Sequence, residues 1–348
     1  MSPQVTAAII AASVSFLTLI GTLAAQFLGR RATREQLDRT FAEQRTRALN
    51  ERFTTAAEQL GNDKPAVRLA GVYAMAGLAD DWAENRQTCV NVLCAYLRMP
   101  YEPDPGQDAP EPERLAFQAI REVRHTVIQV TAEHLNKDTA VSWQGLKFYF
   151  KGVVFDGGDF RGAVFSDGWA VFDGAEFSGG EVRFHDATFS GGYVFFGGAK
   201  FSGGTIRFDR ATFSGCEVSF RDTELSGGTI RFDDATFSGG KVYFSGARFS
   251  GAAVIFEGAK FSGGTVNFGR VKFSTGAVCG GAQFSGGTVS FVGASFSGSR
   301  VTFDDAQFSG GEVDFSDAGD WSFPPAFPRT DTPPPGVKLP KKEDQSQA

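Results

Sequence analysis

The stretches VRFHDATFSGG (182–192), IRFDRATFSGC (206–216) and IRFDDATFSGG (230–240) decide the fold, because they belong to one pattern whose successive copies begin at Val182, Val194, Ile206, Val218 and Ile230. Phe falls at alternating steps of five and seven through Phe172, Phe177, Phe184, Phe189, Phe196, Phe201, Phe208 and Phe213, and the same pattern returns at Phe232, Phe237, Phe256 and Phe261. The register extends back through Phe165, Phe160, Phe155 and Phe148 to Trp143 and forward to Phe315, with one residue missing near Cys279, which takes the place of a Phe. Of these 30 positions, 27 are Phe. Two residues before each stands a small or branched side chain, as at Val182, Ala187, Ile206 and Ala211. An i, i+2 pair points to one side of an extended chain, so each unit reads as a short strand with one small and one large inward side chain. The Ser-Gly-Gly after alternate Phe reads as a corner, since Gly accepts positive φ. The expectation is a parallel solenoid whose coils hydrogen-bond about 4.8 Å apart, with ladders of Phe along the axis. A four-sided 24-residue coil, holding two copies of the pattern, and a flattened 12-residue coil, holding one, are both compatible with the period.

Composition agrees. The chain has 348 residues, a formal net charge of −6, and 35 of its 43 Gly between Trp143 and Phe315, whereas all 14 Pro lie outside that stretch. Proline cannot donate to a strand ladder, so its exclusion fits a region where interior amides bond from coil to coil.

The runs FDGGDFRGAVF, with Phe155, Phe160 and Phe165 five apart, and the recurring A-x-F-S-G units resemble pentapeptide-repeat proteins. That resemblance implies a right-handed, four-sided parallel β-helix and no reaction. Alternate units here carry two extra residues at the Gly corner, and Phe stands where the family has Leu. The order of an apolar N-terminus, the segment RFTTAAEQLGNDKPAVRLAGVYAMAGLADDW and then VSWQG before the repeats is similar to membrane-linked bacterial, especially actinobacterial, members.

Outside the repeat, residues 5–28 form an apolar run long enough to cross a bilayer, and Arg30, Arg31, Arg34 and Arg39 follow it. The expected topology is a single transmembrane anchor over 1–29 in the cell membrane, with the N-terminus outside and the rest cytoplasmic. The lipid bilayer is thus one expected partner. Ser13, Ser15, Thr18, Gly21 and Thr22 could also seat a second copy of the segment, so a homo-oligomer is admitted. Residues 30–99 read as a juxtamembrane helix (Leu37, Phe41, Leu49, Phe53, Leu60) and a small helical domain. Residues 100–113 read as a Pro-rich linker, 114–140 as a helix capping the solenoid, 141–323 as the solenoid with Trp321 and Phe323 over its last coil, and 324–348 as a disordered Pro-rich tail. The architecture is therefore mixed: anchor, all-α domain, β-helix.

Function is read largely by exclusion. No nucleophile–base constellation, phosphate loop or metal-binding motif occurs, and Cys89 and Cys94 do not share a helix face and have no acidic or second Cys pair to complete a site with His125 and His134, so neither an enzyme nor a cofactor or metal is expected. An acidic rod imitating nucleic acid toward a type II topoisomerase is one alternative, but residues 151–320 hold 20 acids and 14 bases, interspersed, which argues against a nucleic-acid role. A carbohydrate-active β-helix is another, with no uniform aromatic or Thr column to support it. The favoured reading is a membrane-anchored scaffold binding an unidentified protein. Its candidate face follows from a 24-residue coil, which stacks Arg183, Arg207 and Arg231 beside Asp209, Asp233 and Glu257.

Overall fold

The computed structural model describes residues 18, 26, 34, 36–251, 253–274, 277–298, 301–327 and 332–341. Two units separate, Met1–Thr55 and Ala56–Ala348. In the first, residues 36–55 are helical, with Leu37 and Phe41 exposed. The expected span 5–28 lies outside the described residues except at Thr18 and Gln26, and among the described residues no helix is long and apolar enough to cross a membrane.

The second unit begins with helices. Pro65, whose missing N–H costs nothing in a first turn, opens α1 (Pro65–Asp81). Helix α2 (Arg86–Leu97) and helix α3 (Glu111–Leu135) follow. Val72, Met75 and Leu78 of α1 are buried with Cys89, Val90 and Leu93 of α2 and Val123, Val127 and Val130 of α3, whereas Tyr73 is exposed. Gly71 lets α1 approach the preceding helical turn, where an added Cβ would meet the Leu60 nitrogen at 2.7 Å.

From Lys147 the chain becomes a four-walled parallel solenoid of about eight coils. The first wall begins with Lys147–Tyr149, the second with Val154–Phe155, the third with Gly158–Asp159 and the fourth with Val164–Phe165. Each strand pairs in parallel with the strand one coil later. Ile206 pairs with Ile230, a step of two full copies of the pattern; Phe148 with Ala170, a step shorter by two; and Val254 with Ala277, a step shorter by one. The coil is thus four-sided and holds two copies, and the single deletion near Cys279 is absorbed within one coil. Strands Lys260–Asn267, Gln283–Ser290 and Gln307–Asp314 continue through the corner, joining the fourth and first walls into one sheet.

The rings behave as the repeat demands. Phe184, Phe208 and Phe232 stack at 4.9 Å with interplanar angles of 8° and 6°. Phe196 and Phe220 stack at 4.7 Å and 3°. Across the coil, Phe184 meets Phe196 edge to face at 6.3 Å and 88°, the geometry that aromatic quadrupoles favour. Where Cys279 replaces a ring, the shortened coil leaves only about 10 Å³ of void among Phe256, Phe268, Phe284 and their neighbours.

Three expectations are corrected. The ladder begins at Phe150, whose ring lies 5.0 Å from that of Phe172 at a tilt of 33°, while Phe148 sits opposite Ala170 in the small-residue column. The first coil is shorter by two residues, so the register slips there. Phe323 is exposed, and Phe327 instead closes the third-wall ladder, stacked 5.1 Å from Phe303. Finally, residues 324–348 are not disordered throughout: Ala326 bridges Thr302, and Val337–Lys338 pairs in parallel with Val313 and Asp314. An open solenoid end exposes unpaired amides and carbonyls, and this segment supplies them with partners.

The corner glycines are not equivalent. At Gly174 (φ +61°) an added Cβ meets open space, whereas at Gly204 (φ +72°) it would sit 2.3 Å from the Gly180 carbonyl oxygen of the preceding coil. Gly174→Ala is expected to cost about 1 kcal/mol, from backbone strain alone, and Gly204→Ala about 3 kcal/mol or more. Denaturant midpoints of the two variants measure the difference, and equal losses would contradict the coil contact.

Candidate functional site

The six charged residues singled out from the sequence do come together on the third wall. Thr205–Arg207 lies between Glu181–Arg183 and Thr229–Arg231, so Arg183, Arg207 and Arg231 are in register. Asp209 and Asp233 follow Arg207 and Arg231 two positions on, at the corner toward the fourth wall, and Glu257 follows Ile255 in the same way one coil later. The two columns neutralise each other by ion pairs. Arg207 Nε donates to Asp209 Oδ2 at 2.5 Å, Arg231 pairs with Asp233, and Arg231 Nε lies 3.6 Å from Asp209 Oδ1. The sequence reading misses Glu181, which accepts from both Arg183 and, at 3.2 Å, Arg207, and the second pair Arg210–Asp186 at 2.8 Å. Both follow from the four-sided coil, one of the two that the period allows.

Beyond Arg231 the balance changes. The arginine column continues as Ile255, Val278 and Thr302, while carboxylates persist at the corner. Asp233, Asp234, Glu257, Asp304 and Asp305 line an open cleft of about 500 Å³. Burial raises the Asp233 pKa above the ordinary carboxylate value, Arg231 opposes this, and the charges of Asp209 and Glu257 add to the rise. Such a cleft attracts positive charge.

A second cluster joins helices to solenoid and is absent from the sequence reading. The first coil has no coil before it, and side chains take over as its hydrogen-bond partners. Gln87 on α2 supplies both an acceptor to the Lys147 N–H (2.9 Å) and a donor to the Lys147 carbonyl (2.8 Å), imitating a neighbouring strand. Arg98 donates to the Tyr149 carbonyl at 2.5 Å. Arg124, only 4% exposed, bridges the carbonyls of Leu97 and Val154 at 2.8 Å each and lies over the Tyr101 ring. Asp156 accepts from Tyr101 Oη (2.8 Å), Arg121 Nε (2.8 Å) and His125 Nε2 (2.9 Å). A signal for it exists in the repeat: Asp156 occupies the post-Phe position that is Ser at Ser178, Ser202, Ser226 and Ser250. A further clamp has Trp143 stacked 4.1 Å from His134, with Trp143 Nε1 donating to Asp80 at 3.0 Å.

These groups hold the helices against the first coil. Cys89, Cys94, Cys216 and Cys279 are buried free thiols, and burial pushes the last three up to about 12, far from thiolate chemistry. Among the described residues no His, Cys, Asp and Glu group could hold a metal.

The junction titrates. Burial tends to raise the Asp156 pKa, but hydrogen bonds from His125 and Tyr101 and the charges of His125 and Arg121 outweigh it and bring it from 3.8 to about 2. A carboxyl depressed by folding stabilises above its unfolded value, and that contribution disappears as pH falls from about 4 toward 2. Asp156→Asn should therefore cost roughly 2 kcal/mol near pH 7 and little near pH 2. Acid titrations of wild type and variant, followed through Trp143 fluorescence, test this; parallel curves would contradict it.

The family described as pentapeptide repeats (9 copies) matches residues 150–200 and 196–248. Neither the curated proteins nor the solved structures yield a match. The matched segments begin at the first ring of the ladder and run through consecutive coils of the Phe-stacked solenoid, so residues 150–248 of the chain are built of pentapeptide repeats.

Proposed function

We propose that this chain is a non-enzymatic, membrane-anchored interaction scaffold that offers its third wall to a basic, partly apolar segment of another protein. The observation that carries the reading is the change along that wall. Its N-terminal half is neutralised by paired arginines and carboxylates, whose net worth at a surface is small. Its C-terminal half sets the exposed apolar Val278 beside the cleft carboxylates Asp234, Glu257, Asp304 and Asp305, which form no ion pair among the described residues. Long solenoid faces are suited to such docking. Anchoring rests on the apolar run 5–28 and the arginines after it. The acidic-mimic alternative needs an unbroken anionic surface, and Arg183, Arg207 and Arg231 interrupt it on the same wall.

The test uses the full chain in its native membranes, with a photo-crosslinking residue at position 278 and, as control, at Thr265 on the first wall. A specific adduct from 278 whose partner contributes a basic segment, and which is lost in Glu257→Gln/Asp304→Asn/Asp305→Asn, is expected. Adducts that survive this neutralisation, or that form equally from 265, overturn the docking face. Alkaline carbonate extraction of the same membranes tests anchoring separately: retention is expected, and release contradicts it.

A further inference from the structure

The first wall carries a different surface. Its outward columns place Lys147, Trp169 and Tyr193 in one register and Tyr149, Val171 and Phe195 in the next. Trp169 is 44% exposed, Tyr193 43% and Tyr149 36%. No packing role requires this, because the inward positions of the same strands, Phe148, Ala170 and Val194, already fill the core. Trp169 touches Tyr193 at 6.0 Å and Tyr193 touches the half-buried Phe195 at 5.7 Å, so these three rings join, with exposed Tyr149 on the same wall one coil before Trp169. Cations accompany it. The Lys147 ammonium lies 5.2 Å over the Trp169 ring, and further along the wall the Arg221 guanidinium lies 4.4 Å over Tyr243, with Lys241 in that same strand. The acidic cleft lies beyond the third wall, across the coil.

The geometry points to the first wall as a docking surface for an anionic lipid bilayer. Trp and Tyr are the side chains that settle at a membrane interface, where an apolar body and a polar tip are both accommodated. Lysine and arginine beside them meet acidic headgroups, each contributing about 1 kcal/mol near such a surface. Lys147 is the one charged side chain among the six residues of the patch, and the next coil brings Glu217 and then Lys241 into its column; the patch therefore faces the lipid and the carboxylate cleft faces away from it. The inference rests on the anchored reading for bringing the solenoid to a membrane, and adds how the solenoid lies there, with its third wall free for a partner.

The experiment places a nitroxide on the full chain at Glu217→Cys on the first wall or at Thr229→Cys on the third, reconstituted in vesicles of phosphatidylcholine with or without phosphatidylglycerol. With the anionic lipid, the label at 217 is expected to lose collisions with a water-soluble nickel complex and to gain them with oxygen, while the label at 229 is unchanged. Trp169→Ser/Tyr193→Ser should abolish the protection, and Lys147→Gln should shift the docked-to-free ratio about fivefold toward free. Equal accessibility at 217 and 229, equal protection in purely neutral vesicles, or protection produced by oligothymidylate without lipid overturns the proposal. Carbonate extraction of the same vesicles scores the anchor alone. A chain that is extracted yet shows protection at 217 when anionic vesicles are added afterwards retains lipid docking and loses the anchor.

Discussion

The structure depends on the stacking of phenylalanine rings at the repeat distance of parallel strands. Strands hydrogen-bond about 4.8 Å apart, and successive rings along the ladders lie 4.3–5.1 Å apart, nearly parallel except at Phe150–Phe172 (33°) and Phe249–Phe273 (21°). Because the two spacings coincide, backbone ladders and ring ladders are satisfied by the same coil, without strain in either. A β-branched or shorter side chain would fill less of the square section. Edge-to-face contacts between Phe208 and Phe220, at 5.9 Å and 88°, then close that section from wall to wall. The corner glycines follow from this packing, since coils drawn together at ring spacing leave no room for a Cβ at Gly204.

A stack of this kind does not end itself, and both ends of the chain are built around that fact. At the first coil, Gln87, Arg98 and Arg124 replace the missing strand with side-chain donors and acceptors, and the Asp156 cluster fixes α3 beside them. At the last coil, Trp321 meets Phe296 and Phe315 edge-on, and Val337–Lys338 adds a further strand. The helices and the tail thereby seal the solenoid against pairing with other edges.

The periodicity makes the fold legible because one position in the repeat is almost always the same large ring. Legibility fails where the period breaks. The shortening of the first coil by two moves the ladder from Phe148 to Phe150, and since both are buried Phe, residue type does not signal which one carries the ladder. The tail reads as disordered from its prolines, yet Phe327 repeats the third-wall ladder position one coil after Phe303. The charged columns can be placed from a 24-residue coil, but their pairing with Glu181 requires knowing that Arg207 reaches back across a coil as well as along its own strand. The aromatic patch escapes a column-by-column reading because it occupies two adjacent columns in three coils and fills neither uniformly.

The most direct test of the stacked four-sided coil is the distance between nitroxides at Thr188→Cys and Gln283→Cys. These positions are joined by four successive in-register steps on the fourth wall, through Thr212, Thr236 and Lys260. Pulsed dipolar spectroscopy should give a narrow distribution centred at about 19 Å, the sum of four strand spacings. A distribution centred at about 38 Å, the eight spacings of a 12-residue coil, would contradict the four-walled Phe-stacked architecture.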